Sequence, residues 1–149
     1  MHDVIKKSIH LHATPERVWR ALSETAEFGR WFRAEMTGEM REGAVLDCRS
    51  LYPGTEHMRW EMRIVTMEPL SRLVWEWPAF DPDAFPGDPD SDARLTVEIV
   101  ISPEGDGTRL MLTERGFAGL PVGPAFAVWQ RNEGGWKMQL DNIADHVAT

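Results

Sequence analysis

Residues 125–147 read AFAVWQRNEGGWKMQLDNIADHV, and this is the longest helical pattern in the chain. Apolar side chains recur there at steps of three, four and seven, which places them on one face of a helix. The members of this stripe are Phe126, Trp129, Trp136, Leu140, Ile143 and Val147. Because Gly134 and Gly135 each weaken a helix by about 1 kcal/mol relative to alanine, we expect either a close backbone approach there or a bend.

The segments before this helix alternate apolar and polar residues, as half-buried strands do. The clearest alternation spans residues 57–67, where Met58, Trp60 and Met62 share one face. Two short helices are expected early in the chain, at 15–22 and 24–31, and Thr14 is suited to cap the first. The predicted strands cover residues 4–11, 34–40, 45–51, 57–67, 73–77, 95–101 and 108–115.

This order of elements predicts an α+β fold of the helix-grip type. A strand, two short helices, a run of antiparallel strands and one long helix pack most simply when a curved antiparallel sheet grips the last helix. The chain has 149 residues, which is the length of one domain with a sizeable core. We therefore expect a single domain over residues 1–149.

Several short sequence segments agree with this layout. They are residues 9–22, 28–32, 68–77 and 107–110 and the helix from Gly134. Together they resemble the activator-of-Hsp90-ATPase-homologue branch of the START-like (SRPBCC, Bet v1-like) superfamily. The resemblance covers nearly the whole chain and implies a cavity between sheet and helix. The resemblance implies no catalytic residues, because members of this family are identified by sequence segments that form the fold and not by a catalytic motif. The acidic segment from Pro78 to Asp92 is long for that family, and the glycine pair also departs from it.

The bulk properties exclude several classes of partner. A net charge of −8 argues against nucleic acid, which requires a clustered cationic surface. No apolar run approaches the length that crosses a bilayer, so we expect no membrane insertion. The N-terminus lacks the pattern of a secretory signal, and a single cysteine, Cys48, excludes an internal disulfide. These features favour a cytoplasmic location.

No catalytic or metal-binding signature is found. There is no Gly-x-Ser-x-Gly elbow and no nucleotide-binding loop. The first strand places His10 and His12 on one face with lysine and serine, which indicates a solvated face and not a zinc site. The segment 78–92 reads as an exposed loop, and its Asp81 lacks the companions of a calcium loop. We expect no metal and no cofactor, and the sequence favours a protein that is not an enzyme.

Glu133 is the ionisable residue of most interest, because it lies between Trp129 and Trp136 on the apolar stripe. In a low dielectric its pKa would rise, which suits proton transfer, and Asn132 beside it could orient a polar group of a ligand. The alternative, which we favour, is that Glu133 pairs with an arginine such as Arg131 or reaches the edge of the helix.

Seven Trp and eight Met suit the wall of a loosely shaped apolar site. The alternative is a tightly packed core without a cavity. The predicted cavity residues come from the inward faces of the strands and from the helix. They are Met58, Trp60, Met62, Trp75, Trp77, Leu95, Val97, Leu110, Leu112, Phe126, Trp129, Asn132, Glu133 and Trp136.

Three functions remain open at this point. The first is binding of a small hydrophobic ligand, aromatic or lipid-like, in the cavity. The second, which the resemblance implies, is a co-chaperone role beside an Hsp90-type ATPase; we regard it as weaker, because the relatives that carry the name have an additional domain. The third is cyclase- or hydrolase-like proton transfer by Glu133. A homodimer is compatible with all three.

Overall fold

The computed structural model describes residues 3–79, 93–120 and 122–148, with side chains from 125 onward in the last range. A 3-10 turn at Phe117–Gly119 precedes the last helix. The helices are α1 (Pro15–Ser23), α2 (Thr25–Phe32) and α3 (Val122–Val147). The strands are β1 (Val4–Leu11), β2 (Ala34–Thr37), β3 (Val45–Ser50), β4 (Arg59–Glu68), β5 (Arg72–Pro78), β6 (Arg94–Glu104) and β7 (Gly107–Arg115).

The described strands form one sheet of seven in the order β1-β7-β6-β5-β4-β3-β2, and every neighbouring pair is antiparallel. Consecutive strands are neighbours in the sheet except for β1 and β2. These two lie at opposite edges, because α1 and α2 carry the chain across the sheet between them. The curved sheet faces α3, so the helix-grip fold predicted from the sequence is confirmed.

The core lies between the inner face of the sheet and the helices. Alternate residues of β6 are buried, among them Leu95 and Val97, and β5 buries Leu73, Val74 and Trp75. The last helix contributes Val128, Trp136, Leu140, Ile143 and Val147 to this core. The short helices close one end of it through Val18, Leu22, Phe28 and Trp31. The final helix is therefore anchored along its C-terminal half, beyond the glycine pair.

The start of α1 forms as its sequence predicts. The backbone N–H of Arg17 donates to Oγ1 of Thr14 over 3.2 Å, and Pro15 is the first helical residue. This bond satisfies one of the backbone donors that a helix leaves unpaired at its N-terminus.

The last helix differs from the expected stripe in two ways. Phe126 is 50% exposed, whereas Val128 is 2% exposed and takes its place in the core. The helix also runs without interruption from Val122 to Val147. A Cβ on Gly134 or Gly135 would meet no atom within 4 Å, so the expected close approach of the backbone was wrong.

The predicted acidic loop is partly replaced by regular structure. Pro78 is the last residue of β5, and Ala79 is fully buried. Asp81, Asp83 and the rest of 80–92 lie outside the described residues. None of the helices described is both long enough and apolar enough to span a membrane.

Candidate functional site

A buried carboxylate lies at the centre of the candidate site. Glu114, near the end of β7, follows Thr108, Leu110 and Leu112 on the inward face of that strand, and none of its surface is exposed. An ionised carboxylate is costly to bury unless hydrogen bonds satisfy it. The side chains around Glu114 therefore determine how easily its carboxyl group ionises.

Three neutral donors surround this carboxylate. Nε1 of Trp77 donates to Oε2 over 2.8 Å, and Nε1 of Trp136 donates to Oε1 over 2.9 Å. Nδ2 of Asn132 lies 3.2 Å from both oxygens. Because Trp77 belongs to β5 and the other two residues to α3, Glu114 ties the final helix to two strands of the sheet.

Burial and hydrogen bonding act in opposite directions on this group. Burial raises the pKa of Glu114 above its ordinary value of 4.5, because the charged form loses its hydration. The hydrogen bonds from Trp136, Trp77 and Asn132 and the charge of Arg131 offset part of this rise. The net result is a carboxyl group whose pKa is raised.

Beside this carboxylate lies a hollow that we call the tryptophan cleft, formed by two adjoining cavities of about 170 Å³ each. Both cavities are lined by Phe32, Trp77, Arg131 and Asn132. The first is completed by Met58, Arg59, Trp60 and Pro78. The second is completed by Gly135, Trp136 and Gln139. The cleft thus has an Arg59 end at the start of β4 and a Gly135 end on α3.

The walls of the cleft are aromatic rings in mutual contact. Trp77 and Trp136 stack with their ring centroids 5.7 Å apart and an angle of 27° between planes. Phe32 lies 6.1 Å from Trp77 and 6.3 Å from both Trp60 and Trp136. Behind them, Trp75 is fully buried with its centroid 5.5 Å from Trp77. Aromatic pairs at such distances stabilise one another beyond the area that they bury.

The structure divides the predicted cavity residues into three groups, of which the first two lie on the inner side of the sheet. Met58, Trp60, Trp77, Asn132 and Trp136 line the tryptophan cleft. Six others are at most 1% exposed and belong to the packed core, and these are Met62, Trp75, Leu95, Val97, Leu110 and Leu112. The hollow is smaller than expected because several rings interdigitate where the sequence analysis placed them apart.

Three predicted residues on α3 lie away from the cleft. Phe126 is half exposed, and Nε1 of Trp129 donates to the carbonyl oxygen of Val4 over 3.3 Å. Oε1 of Glu133 accepts from Nζ of Lys7 over 2.8 Å. This bond and the charge of Lys7 lower the pKa of Glu133. Of the two interpretations of Glu133, the raised pKa was wrong, because Glu133 faces β1 and not the cleft. It pairs with a cation, as the favoured alternative expected, but the partner is Lys7 and not an arginine.

Four residues of the site were not predicted from the sequence: Glu114, Phe32, Arg59 and, in its position on the cleft wall, Arg131. A signal for Glu114 was present, since the alternation that turns Leu110 and Leu112 inward also turns Glu114 inward. No comparable signal existed for Arg59 or Arg131, because their position depends on how the strand ends and the helix meet.

The other candidate residues have ordinary roles. Cys48 is 4% exposed, and burial raises the pKa of its thiol to about 12, so the thiol stays protonated. Nδ1 of His10 lies 2.7 Å from Oε1 of Glu104. Among the described residues, no group of three or more His, Cys, Asp or Glu side chains is placed to hold a metal ion.

Solved structures share this architecture. Protein MLL2253 from Mesorhizobium loti is 18% identical, with a TM-score of 0.78 over 97% of this chain and 96% of its own. CalU16 from Micromonospora echinospora is 25% identical, with a TM-score of 0.65 over 97% and 74%. The Aha1 dimer from Colwellia psychrerythraea is 14% identical, with a TM-score of 0.69 over 97% and 95%. No curated protein sequence matches the chain.

The sequence phrases, the helix-grip fold and these structural neighbours agree with a family model. The model described as "Activator of Hsp90 ATPase homolog 1-like protein" matches residues 12–148, which is almost the entire chain. The chain therefore belongs to the family of activator of Hsp90 ATPase homolog 1-like proteins.

Proposed function

We propose that the protein binds a small ligand with a single aromatic ring in the tryptophan cleft. The observation that carries this proposal is a hollow walled by Phe32, Trp60, Trp77 and Trp136, with about 170 Å³ in each of its two parts. An apolar cavity of about 150 Å³ holds one benzene molecule. The volume therefore favours one ring over a long lipid chain.

Polar groups in the cleft wall supply orientation. The amides of Asn132 and Gln139 both line it. Asn132 is held by Glu114, and Nε2 of Gln139 donates to the carbonyl oxygen of Phe32 over 2.9 Å. Ligand sites combine apolar walls with a few fixed polar groups, and side chains already held in place lose little entropy on binding.

Gly135 supports the proposal, because it keeps one end of the cleft free of a side chain. It lines the second cavity, and a Cβ built there meets nothing within 4 Å. Glycine in the middle of a helix costs about 1 kcal/mol relative to alanine. Space for a ligand would explain why the helix has a glycine at position 135 in spite of this cost.

The glycine pair offers a matched test. A leucine at either position meets no protein atom near its Cβ and improves the helix propensity. Only Gly135→Leu would fill the cleft, because Gly134 is exposed and does not line it. Binding of phenylacetamide, followed by tryptophan fluorescence and calorimetry, is expected to weaken at least about tenfold in Gly135→Leu, the loss of roughly 1.4 kcal/mol.

The control variant, Gly134→Leu, is expected to bind as the wild type does. Equal binding by both variants and the wild type would show that the ligand lies elsewhere. If phenylacetamide, indole and other neutral single-ring compounds all fail to bind the wild type, the proposed function is wrong.

The family description favours a second candidate, a role beside an Hsp90-type ATPase. The net charge of −8 would suit a basic surface on such a partner. This role makes no use of the tryptophan cleft. A change in the ATPase rate on adding the protein, retained in Gly135→Leu, would support it, whereas an unchanged rate would remove it.

A further inference from the structure

We propose that the ligand of the tryptophan cleft is an aromatic anion, whose charged group lies beside Arg59 at a gap between β4 and β5. The inference rests on the proposed function and names the chemical class of its ligand, an aromatic ring with a carboxylate on a short arm. It depends on where the sheet opens and on how charge is distributed along the cleft.

The sheet opens between β4 and β5. Their pairing ends at Arg63 and Glu76, although β4 begins four residues earlier, at Arg59, and β5 continues to Pro78. Over the same length β5 stays paired with β6, as far as Pro78 opposite Arg94. The two strand ends therefore separate without a ladder between them.

A second hollow, of about 660 Å³, lies on the outer face of the sheet at this place. It shares Arg59, Trp60 and Pro78 with the tryptophan cleft. Trp60 occupies a position of β4 that faces the inside of the sheet, and yet it also lines the outer hollow. The two hollows therefore meet at the gap. A ligand with its ring inside the cleft can extend a short polar arm through this opening.

Within the described part of the chain, the charged residues that line the tryptophan cleft are Arg131 and Arg59, and no acidic residue lines it. Arg59 occupies an outward position of β4, so its charge belongs to the gap. Arginine binds carboxylates through paired hydrogen bonds. On the outer side, Arg49 lies opposite Arg59 in the β3–β4 register, although it also contacts Glu35 over 3.1 Å. Nη1 of Arg94 is buried and has no hydrogen-bond partner among the described residues. Among the described residues, the outer hollow is lined by three arginines and three acidic residues. Of these six, Arg59 begins β4 and Arg94 lies opposite Pro78, so two of the arginines flank the gap.

Two carboxylates of the outer hollow lie one step further along the strands, and the third, that of Glu35, is already paired with Arg49. Asp47 and Glu61 face each other in the β3–β4 register, next to the Arg49–Arg59 pair. They repel an anion that moves outward along the sheet. The arginine pair at the gap is therefore the favoured position for one negative charge.

The buried carboxylate sets the direction of the ligand. Glu114 bonds to Trp136, which lines only the Gly135 end, whereas Arg59 lines only the other end. A negative group at the Gly135 end would lie near the oxygens of Glu114, whose neighbouring donors are already used. The ring is thus expected against Trp77 and Trp136, with the anionic group pointing to Arg59.

Phenylacetate and phenylacetamide test this inference, because they share ring and arm and differ in charge. The wild type is expected to bind phenylacetate about tenfold more tightly than phenylacetamide, as one hydrogen-bonded charge pair allows. Arg59→Gln is expected to abolish this preference, so that the variant binds the two compounds about equally tightly. The preference should also shrink as salt is added, since exposed charges are screened.

Arg63→Gln is the matched control, because Arg63 is an exposed residue on the outer face of the same strand and lines neither hollow. It should keep the preference for phenylacetate. If phenylacetamide binds and phenylacetate binds no better, or if Arg59→Gln keeps the preference, the anion inference is wrong and the proposed function stands. If neither compound binds the wild type, the anion inference is wrong, and the proposed function is also wrong if indole and the other neutral single-ring compounds fail to bind.

Discussion

Two acidic residues, Glu27 and Glu114, join the last helix to the rest of the molecule, and they do so with different kinds of donor. Glu27 on α2 accepts hydrogen bonds from Arg17, Arg20 and His146, each over 2.8 Å. Glu114 accepts from two indoles and an amide and has no exposed surface. The first carboxylate has cationic partners, and the second has neutral ones.

The pKa values of the two groups move in opposite directions for this reason. Burial alone would raise the pKa of Glu27, but the bonds from His146 and Arg17 and the charges of Arg17 and Arg20 outweigh it and lower that pKa. For Glu114, burial outweighs the neutral donors, and the pKa rises. A carboxylate with cationic partners fastens helices together, whereas one with indole partners holds the wall of a cleft.

The largest effect is expected from Glu114→Ala. It leaves the indole N–H groups of Trp77 and Trp136 and the amide of Asn132 without their acceptor inside the protein. An unsatisfied buried donor costs about 1–3 kcal/mol, and water from the cleft can reach some of these groups. We expect the free energy of unfolding, measured with urea, to fall by about 3 kcal/mol.

Glu98→Ala is the control, because Glu98 lies on the neighbouring strand and pairs with Arg72 at the surface. Surface ion pairs contribute about 0–1 kcal/mol, so this loss should be small. Equal losses in the two variants would mean that Glu114 is no more important to stability than a surface carboxylate.

A smaller effect is expected from pH, with opposite signs for the two acids. Each of the substitutions Glu27→Gln and Glu114→Gln removes one titratable carboxyl group. The stability that ionised Glu27 adds is present above 4.5, its unfolded pKa, and is lost as the pH falls through the lowered folded value. The stability that Glu114 contributes is present below 4.5 and is lost as the pH rises through the raised folded value.

Urea unfolding of the wild type and the two variants across this range measures the difference. The advantage of the wild type over Glu27→Gln should shrink toward acid, and its advantage over Glu114→Gln should shrink toward neutral pH. If both differences change in the same direction, the contrast between cationic and neutral donors does not explain the two pKa values.

Much of the fold could be predicted from the sequence, because its signals are local. The alternation at 57–67, the Thr14 cap and the length of the last helix each follow from neighbouring residues. The two glycines did not break α3, because the C-terminal half of the helix is held by Leu140, Ile143 and Val147. Tertiary packing thus outweighed a weak local preference.

The site was harder to predict, because it depends on how distant elements meet. Asn132 and Glu133 are adjacent in sequence, yet one faces Glu114 and the other faces Lys7. A helix turns by about 100° per residue, so neighbours at the border of a stripe point to different elements. Which of them enters the cleft was fixed by the position of β1 and β7 around the helix.

The tryptophan cleft as a site for one aromatic ring is tested most directly by the indole N–H resonances in an NMR titration with phenylacetamide. The N–H groups of Trp77 and Trp136 bond to Glu114 behind the cleft wall, whereas that of Trp31 donates to the carbonyl oxygen of Ala21, away from it. We expect the first two resonances to shift in a saturable manner and the Trp31 resonance to stay in place. No shift of the Trp77 and Trp136 resonances, or an equal shift of all three, would contradict the account.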